Sequence, residues 1–225
     1  MTDAPVYLSA GMSRSGSTWL YNALRLILAE KHPRLYARWV ENSSGAEAVA
    51  AAADAVLIKT HDPTRFWSAR ATMCFTCHRD LRDIAVSLRD MGWADDRREM
   101  LDWVDRIRRN HDFWAPRAVR DFAYDEILGR PVELLAEMAK LCSVELSTEQ
   151  CAAISAALSR LDGDRNSTAI HDPTTLMHPR HRFDGRANRF LDGLGAEAAA
   201  EIALRHGDWL TRMGYDPALA GGTRP

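Results

Sequence analysis

Residues 6–19 read Val6-Tyr7-Leu8-Ser9-Ala10-Gly11-Met12-Ser13-Arg14-Ser15-Gly16-Ser17-Thr18-Trp19. The stretch opens on a short apolar run, passes through a loop of glycines and serines, and enters an amphipathic pattern. Leu20, Ala23, Leu24, Ile27 and Leu28 then fall at helical spacing, which predicts a helix from Ser17 to about Lys31. A strand that feeds a helix through such a loop can wrap an anion with successive backbone N–H groups, and the helix N-terminus adds partial positive charge. Gly11 and Gly16 enclose four residues, the spacing of a phosphate-binding loop. The lysine that usually follows the second glycine is replaced by Ser17, and the loop's cation is Arg14. A ligand-free turn between strand and helix is the competing reading.

Outward from this loop, strands and helices alternate. Val56-Leu57-Ile58, Met73 to Cys77 and Val119 to Tyr124 read as further strands, and Leu35 to Val40 as another. The runs at 6–9, 56–58 and 73–77 lack polar alternation, as strands buried on both faces of a parallel sheet do. Helices are expected over Asp80–Met91, along the stripe Met100, Val104, Ile107, His111 and Trp114, after Pro131, after the capping box Ser147-Thr148-Glu149-Gln150, and from Ala196 to Met213. The alanine-rich run 46–55 reads as a surface helix. The pattern predicts an α/β fold with three layers, a central, mostly parallel sheet flanked by helices, in a single domain over 1–225. Residues 162–190 form a long polar stretch with little periodicity, which points to a functional or mobile segment.

Composition narrows the function classes. The chain has 225 residues, 46% hydrophobic and 27% charged, with a net charge of −2. That balance offers no broad basic footprint for nucleic acid. No run approaches the roughly 20 apolar residues of a membrane helix. The acidic N-terminal residues do not read as a signal peptide, and four cysteines are no disulfide framework, so a cytoplasmic protein is expected. Only three of the 29 basic residues are lysines, namely Lys31, Lys59 and Lys140, so a lysine in this chain is a marked choice.

Three further signals sit at strand ends. Lys59-Thr60-His61 follows the strand 56–58, Arg79-Asp80-Leu81-Arg82-Asp83-Ile84-Ala85-Val86-Ser87 follows the strand ending at Cys77, and Tyr124-Asp125-Glu126 ends a fourth. In an open parallel sheet, ligands bind at the carboxyl ends of the strands. Alternation along the chain places Lys59 and His61 on one face, with Thr60 turned away.

Together these motifs resemble the sulfotransferases that use 3'-phosphoadenosine 5'-phosphosulfate (PAPS). Members of that superfamily carry a Pro-Lys-Ser-Gly-Thr-Thr-Trp-like loop, here Ser13 to Trp19; a Lys-Thr-His, here Lys59 to His61; an Arg-Asp-Pro-Arg-Asp-x-x-x-Ser, here Arg79 to Ser87; and a Tyr-Glu-Asp-Leu, here Tyr124 to Ile127. A late His-x-x-Asp-Gly element resembles His181 to Gly185. The motifs keep their order from residue 6 to about 215. The resemblance implies that Arg14, Ser15, Gly16, Ser17 and Thr18 hold the 5'-phosphosulfate, with Trp19 and Tyr124 near the adenine. Arg79 and Ser87 would hold the 3'-phosphate, and Gly185 and Arg186 would close over it. Lys59 and His61 would face the transferred group, with His61 as general base and Arg14 and Lys59 as catalytic cations.

The implied activity is transfer of a sulfuryl group to a hydroxyl or amine of a small-molecule, glycan or lipid acceptor, with adenosine 3',5'-bisphosphate (PAP) as product. A developing phosphate charge calls for a held cation, and a hydroxyl nucleophile calls for a base near neutral pH. No metal is implied. Departures from the family pattern are Arg14 for lysine, Leu81 for proline, Phe183 and Asp184 at basic positions, and Asn188 for a glycine. Arginine keeps the charge but cannot donate a proton at neutral pH. A nucleoside or nucleotide kinase and a non-catalytic nucleotide-binding protein are the alternatives. The segment 162–190, with its five arginines, is expected to be ordered by the bisphosphate. Cys74-Phe75-Thr76-Cys77-His78 spells a haem attachment motif, but strand residues three apart face opposite ways. Cys142 and Cys151 read as core, and His171, His178 and His181 as loop or acceptor-side residues; the aromatics Trp93, Trp103, Phe113 and Trp114 read either as core, which helical spacing favours, or as the wall of an acceptor pocket.

Overall fold

In the computed structural model the described residues are 4–40, 53–161, 171–178 and 185–219. Among the described residues there are five strands: β1 (Val6–Ser9), β2 (Leu35–Trp39), β3 (Ala55–Lys59), β4 (Met73–His78) and β5 (Arg120–Ala123). They form one sheet in the order β2-β3-β1-β4-β5, every neighbouring pair parallel. The helices are α1 (Ser17–Ala29), α2 (Arg65–Arg70), α3 (Leu81–Asp90), α4 (Arg97–Trp114), α5 (Tyr124–Gly129), α6 (Pro131–Leu141), α7 (Thr148–Arg160), α8 (Phe190–Gly193) and α9 (Ala196–Arg212).

The alternation of strand side chains divides the core. Tyr7, Leu57, Phe75, Cys77 and Phe122 face α1, α6 and α7. Leu8, Val56, Ile58 and Cys74 face the other way, onto Trp67 of α2 and Trp114 of α4. Cys74 and Cys77 therefore point to opposite faces, and all four cysteines are free thiols in the core. A third apolar cluster joins α3, α4, α8 and α9. With both faces covered, the strands need no polar alternation, which is why they read as continuous apolar runs.

Three expectations need correction. The helix expected over 46–55 does not extend to its end, because Ala55 opens β3; residues 46–52 lie outside the described residues. Tyr124 does not close a strand but starts α5, with Glu126 folding back to accept from the Ala123 N–H at 3.1 Å. Trp93 and Trp103 are not core residues, as shown below. The capping box at α7 is present as read, with Gln150 N–H on Ser147 Oγ at 3.2 Å and Ser147 N–H on Gln150 Oε1 at 2.8 Å.

A buried polar chain ties the second layer to the sheet. The Trp209 indole N–H reaches His111 Nδ1 at 3.3 Å, His111 Nε2–H donates to Asp121 Oδ2 at 2.9 Å, and the Thr76 hydroxyl donates to Asp121 Oδ1 at 2.8 Å. His78 Nδ1 lies 3.1 Å from the same Asp121 Oδ2. Burial alone would raise the Asp121 carboxyl, but the His111 and His78 contacts outweigh it and hold the group well below the usual carboxylate range. The His78, His111 and Asp121 donor atoms lie close enough to suggest a metal. The bond from Trp209 argues otherwise: it makes Nδ1 of His111 the acceptor, so Nε2 carries the proton that a metal would have to displace. Asp121→Ala should strand the His111 N–H and the Thr76 hydroxyl without an acceptor. A loss of about 3 kcal/mol is expected in urea unfolding, and a midpoint unchanged from wild type would remove this chain from the fold's supports.

Candidate active site

The strand order reverses at β1: the chain crosses from β3 over β1 to β4, leaving a crevice at the carboxyl ends of β1 and β4. The loop after β1 sits in it. Ala10 N–H and Met12 N–H donate to the carbonyls of Phe75 and Cys77 at 2.8 and 2.9 Å, so the loop's first half extends the β1–β4 pairing. Gly11 lies directly on the Cys77 thiol; a Cβ there would stand 2.4 Å from Sγ. Ser15 Oγ turns inward to the Met12 carbonyl at 2.8 Å and the Cys77 carbonyl at 3.1 Å, so it braces the loop from below. Arg14 and Gly16 take positive φ, 66° and 87°, and Gly16 is the N-cap of α1 with no side chain covering the helix end. The first turn of α1 thus offers its N–H groups outward.

A cavity of about 370 Å³ opens over this loop. Arg79, Ser87 and Arg189 form one part of its wall, and Trp19, Tyr124 and Leu128 another. Arg79 is buried, stacked 4.0 Å from the Tyr124 ring centroid and paired with Asp83 at 3.1 Å. Its Nη2 also donates to the Arg186 carbonyl at 2.8 Å. The Tyr124 hydroxyl donates to the Gly185 carbonyl at 2.8 Å, Asp83 Oδ1 accepts the Phe190 N–H at 2.9 Å, and Arg189 pairs with Asp90. Residues 185–190 are thereby laid against the cavity's rim. Burial raises the Asp83 carboxyl despite its Arg79 partner.

A second cavity, about 420 Å³, opens on the other side of the loop. Arg14, Ser17 and Thr18 line both cavities. Lys59 and His61 line only the second, along with Trp39, Trp93 and Trp103. Lys59 is 3% exposed, and its Nζ donates to Thr18 Oγ1 at 2.7 Å. Burial brings its pKa down to about 7, with the nearby Arg14 charge adding to the effect. His61 Nδ1–H donates to the Gly11 carbonyl at 2.6 Å, which leaves Nε2 as the lone-pair nitrogen. Burial and then the Lys59 charge depress the imidazole to about 3, so it stays neutral across the physiological range. Arg14, lowered by burial and by Arg79 to about 10, stays charged; its Nε donates to Ser87 Oγ at 2.9 Å. Among the described residues neither Arg14 nor Lys59 has a carboxylate partner.

Arg14, Gly16, Ser17, Thr18, Trp19, Arg79, Ser87, Tyr124 and Gly185 thus share one cavity, and Lys59 and His61 the adjoining one. Ser15 supports the loop from beneath. The Arg186 guanidinium is outside the cavity wall and pairs with Asp192 at 2.8 Å. His171 and His178 line the second cavity, while Arg165, Arg180, His181, Arg182, Phe183 and Asp184 lie outside the described residues. Sequence reading missed Trp39 and the anchoring role of Asp83, and for Trp93 and Trp103 it favoured the core over the cavity wall that they form. Trp39 ends a strand, but only the parallel register of β2 on β3 brings it to the same end of the sheet as Lys59.

The close contact at Gly11 makes a prediction. Gly11→Ala should push the loop off Cys77 and cost roughly 2 kcal/mol of stability by overpacking in urea unfolding. Cys77→Ala in the same chain should restore most of it. Equal midpoints for the wild type and Gly11→Ala would show that the loop does not depend on this approach.

By sequence the chain matches no protein-family model and no curated protein. Solved structures do match in fold. Retinol dehydratase in complex with retinol and PAP superposes over 100% of this chain and 85% of its own, at 15% identity and TM-score 0.65. The same enzyme with androsterone and the inactive cofactor PAP covers 92% and 80%, at 17% identity and TM-score 0.63. Mouse sulfotransferase SULT7A1 complexed with PAP covers 93% and 84%, at 13% identity and TM-score 0.66. Near-complete overlap at these TM-scores places the chain in the α/β fold of these PAP-bound proteins.

Proposed function

We propose that the chain is a single-domain sulfotransferase that moves a sulfuryl group from PAPS to a hydroxyl or amine of an acceptor, releasing PAP. One observation carries the reading: two cations without carboxylate partners among the described residues, the half-buried Arg14 and the buried Lys59, stand at an anion-binding loop where two cavities meet. Such cations call for a bound anion shared between the cavities. The PAP in the structural neighbours is consistent with this.

The residues divide the work as follows. The loop amides from Arg14 to Thr18 and the N-terminus of α1 hold the 5'-phosphosulfate, and Trp19 and Tyr124 take the adenine. Arg79 and Ser87 hold the 3'-phosphate, with Gly185 and Arg186 at the rim. PAPS supplies the activated S–O bond. His61 Nε2 accepts the proton of the acceptor hydroxyl in the second cavity as that oxygen attacks sulfur. Lys59 neutralises the sulfuryl oxygens, and Arg14 the charge left on the departing phosphate. Arg14 does so without giving up a proton, since it stays charged well above neutral pH. The sulfuryl group carries less charge than a γ-phosphoryl, so the two cations replace a metal clamp. The acceptor is a small molecule, glycan or lipid. No helix among the described residues is long and apolar enough to cross a membrane, and the proposed setting is the cytoplasm.

Calorimetry tests the donor. PAP should bind at least tenfold more tightly than ATP or ADP, because Arg79 and Ser87 form an anion site separate from the loop. ATP bound as tightly as PAP would favour a kinase. Transfer of labelled sulfuryl groups to a panel of acceptors tests the reaction. In that assay His61→Ala should lose about 100-fold or more in turnover while PAP binding persists.

The pH profile follows from Lys59. The active form needs the ammonium, and the ammonium is lost as pH rises through about 7 in the unliganded protein. kcat/KM should therefore fall on the alkaline side from about pH 7. A bound anion raises the Lys59 pKa, so the corresponding limb in kcat should lie at higher pH. Coincident limbs in both parameters would separate Lys59 from the donor anion.

A further inference from the structure

Trp39 ends β2, the edge strand, and belongs to none of the motifs that mark the site. The parallel register of β2 on β3 pairs it with Lys59. Its indole is half-buried and forms part of the wall of the second cavity. Two groups of the proposed transfer machinery meet this one ring. Lys59 Nζ lies 5.7 Å from its centroid. The His61 imidazole stands against it at 4.8 Å between centroids, with the planes inclined at 65°.

Lys59 needs such a neighbour. A buried ammonium has three N–H donors, and Thr18 Oγ1 accepts one of them. Around it, Arg14 from the phosphate loop and His61 beyond β3 oppose or do not favour its charge, while the Cys77 thiol of β4 lends weak support. The remaining electron-rich surfaces are the rings of Trp39 and of Tyr21 on α1, the latter 6.0 Å away. An indole face attracts a cation more strongly than the other aromatic side chains, and more so where water is excluded. His61 is held at Nδ1 by the Gly11 carbonyl, and the edge contact with the Trp39 ring supports the same ring plane and so the direction of Nε2.

We propose that Trp39 is a positioning residue for transfer, whose indole holds Lys59 in its ammonium form and orients the His61 ring toward the acceptor. The proposal rests on the sulfotransferase reading for the roles of Lys59 and His61. Loss of the ring disfavours the ammonium relative to the amine, so the Lys59 titration moves to lower pH. Less ammonium at neutral pH means slower transfer. Donor affinity at neutral pH falls with it, since the ammonium and the donor anion favour each other, while the loop and Arg79 keep their own contacts.

The scarcity of lysine makes this measurable. Protein labelled with carbon-13 at lysine Cε has only Lys31, Lys59 and Lys140 to report. The Lys59 resonance is the one missing from Lys59→Arg. In the unliganded protein, Trp39→Leu should lower the Lys59 midpoint by about one pH unit, and Trp39→Phe by less. In the transfer assay at neutral pH, Trp39→Leu should lose about tenfold in kcat/KM for the donor with a smaller loss in kcat, and the deficit should shrink as pH is lowered. Wild-type chain grown on fluorinated tryptophan keeps its shape while the negative ring face weakens. Its Lys59 midpoint should also fall, which keeps the test open if Trp39→Leu does not fold. An unchanged midpoint in Trp39→Phe and in the fluorinated protein overturns the proposal, as does wild-type turnover at every pH in a variant whose midpoint has moved. Absence of transfer by the wild-type chain counts against the proposed function instead, and the titration still decides the contact between Trp39 and Lys59.

Discussion

The close approach of the loop backbone to β4 is the constraint on which the site depends. Gly11 lies on the Cys77 thiol, Met12 N–H reaches the Cys77 carbonyl, and Ser15 Oγ turns down to the same carbonyl. These contacts hold the start of α1 against the end of β4, so the helix N-terminus and Arg79 come to one crevice. The Gly11 carbonyl, turned the other way, accepts from His61 and so carries the same constraint to β3. A side chain at residue 11 would separate all three strand ends at once.

Charge is distributed around this frame with a clear division. Arg79 and Arg189 each have a carboxylate, Asp83 and Asp90, and these pairs tie residues 185–190 to α3. Arg14 and Lys59, nearer the loop, have hydroxyl partners, Ser87 and Thr18. The first pairs build the walls. The second set is left with unspent charge in a place where burial already disfavours it, and both pKa values move down accordingly. An anion bound across the loop would relieve that cost, and the two cavities offer room for the groups on either side of it.

Away from the site, polar groups are spent on rigidity. The chain from Trp209 through His111 to Asp121 and Thr76 links α9, α4, β5 and β4 through groups that are satisfied by one another. The pair Arg82–Asp80 does the same at the head of α3: Arg82 donates to the carbonyls of Asp216 and Leu219 and stacks over Phe190. The motif Arg79 to Ser87 therefore has two functions: Arg79 and Ser87 line the cavity with Asp83 behind Arg79, and Arg82 lies beneath α8 and residues 216–219.

Most of the elements, and most of the residues that line the cavity over the loop, were legible in the sequence. Uninterrupted apolar runs imply strands buried on both faces, and a glycine loop between strand and helix implies an anion site, because both follow from local backbone physics. Lys59 and His61 were legible for the same reason, lying one strand pitch apart at a sheet end. The tertiary structure alone decided the strand order, the sharing of Arg14, Ser17 and Thr18 between two cavities, and the company each cation keeps. Trp93 and Trp103 fit a helical core pattern in sequence yet face a cavity, since periodicity gives a helix's apolar side but not what lies opposite it. Trp39 meets Lys59 only through the β2–β3 register, a pairing between residues 20 apart that no local pattern encodes.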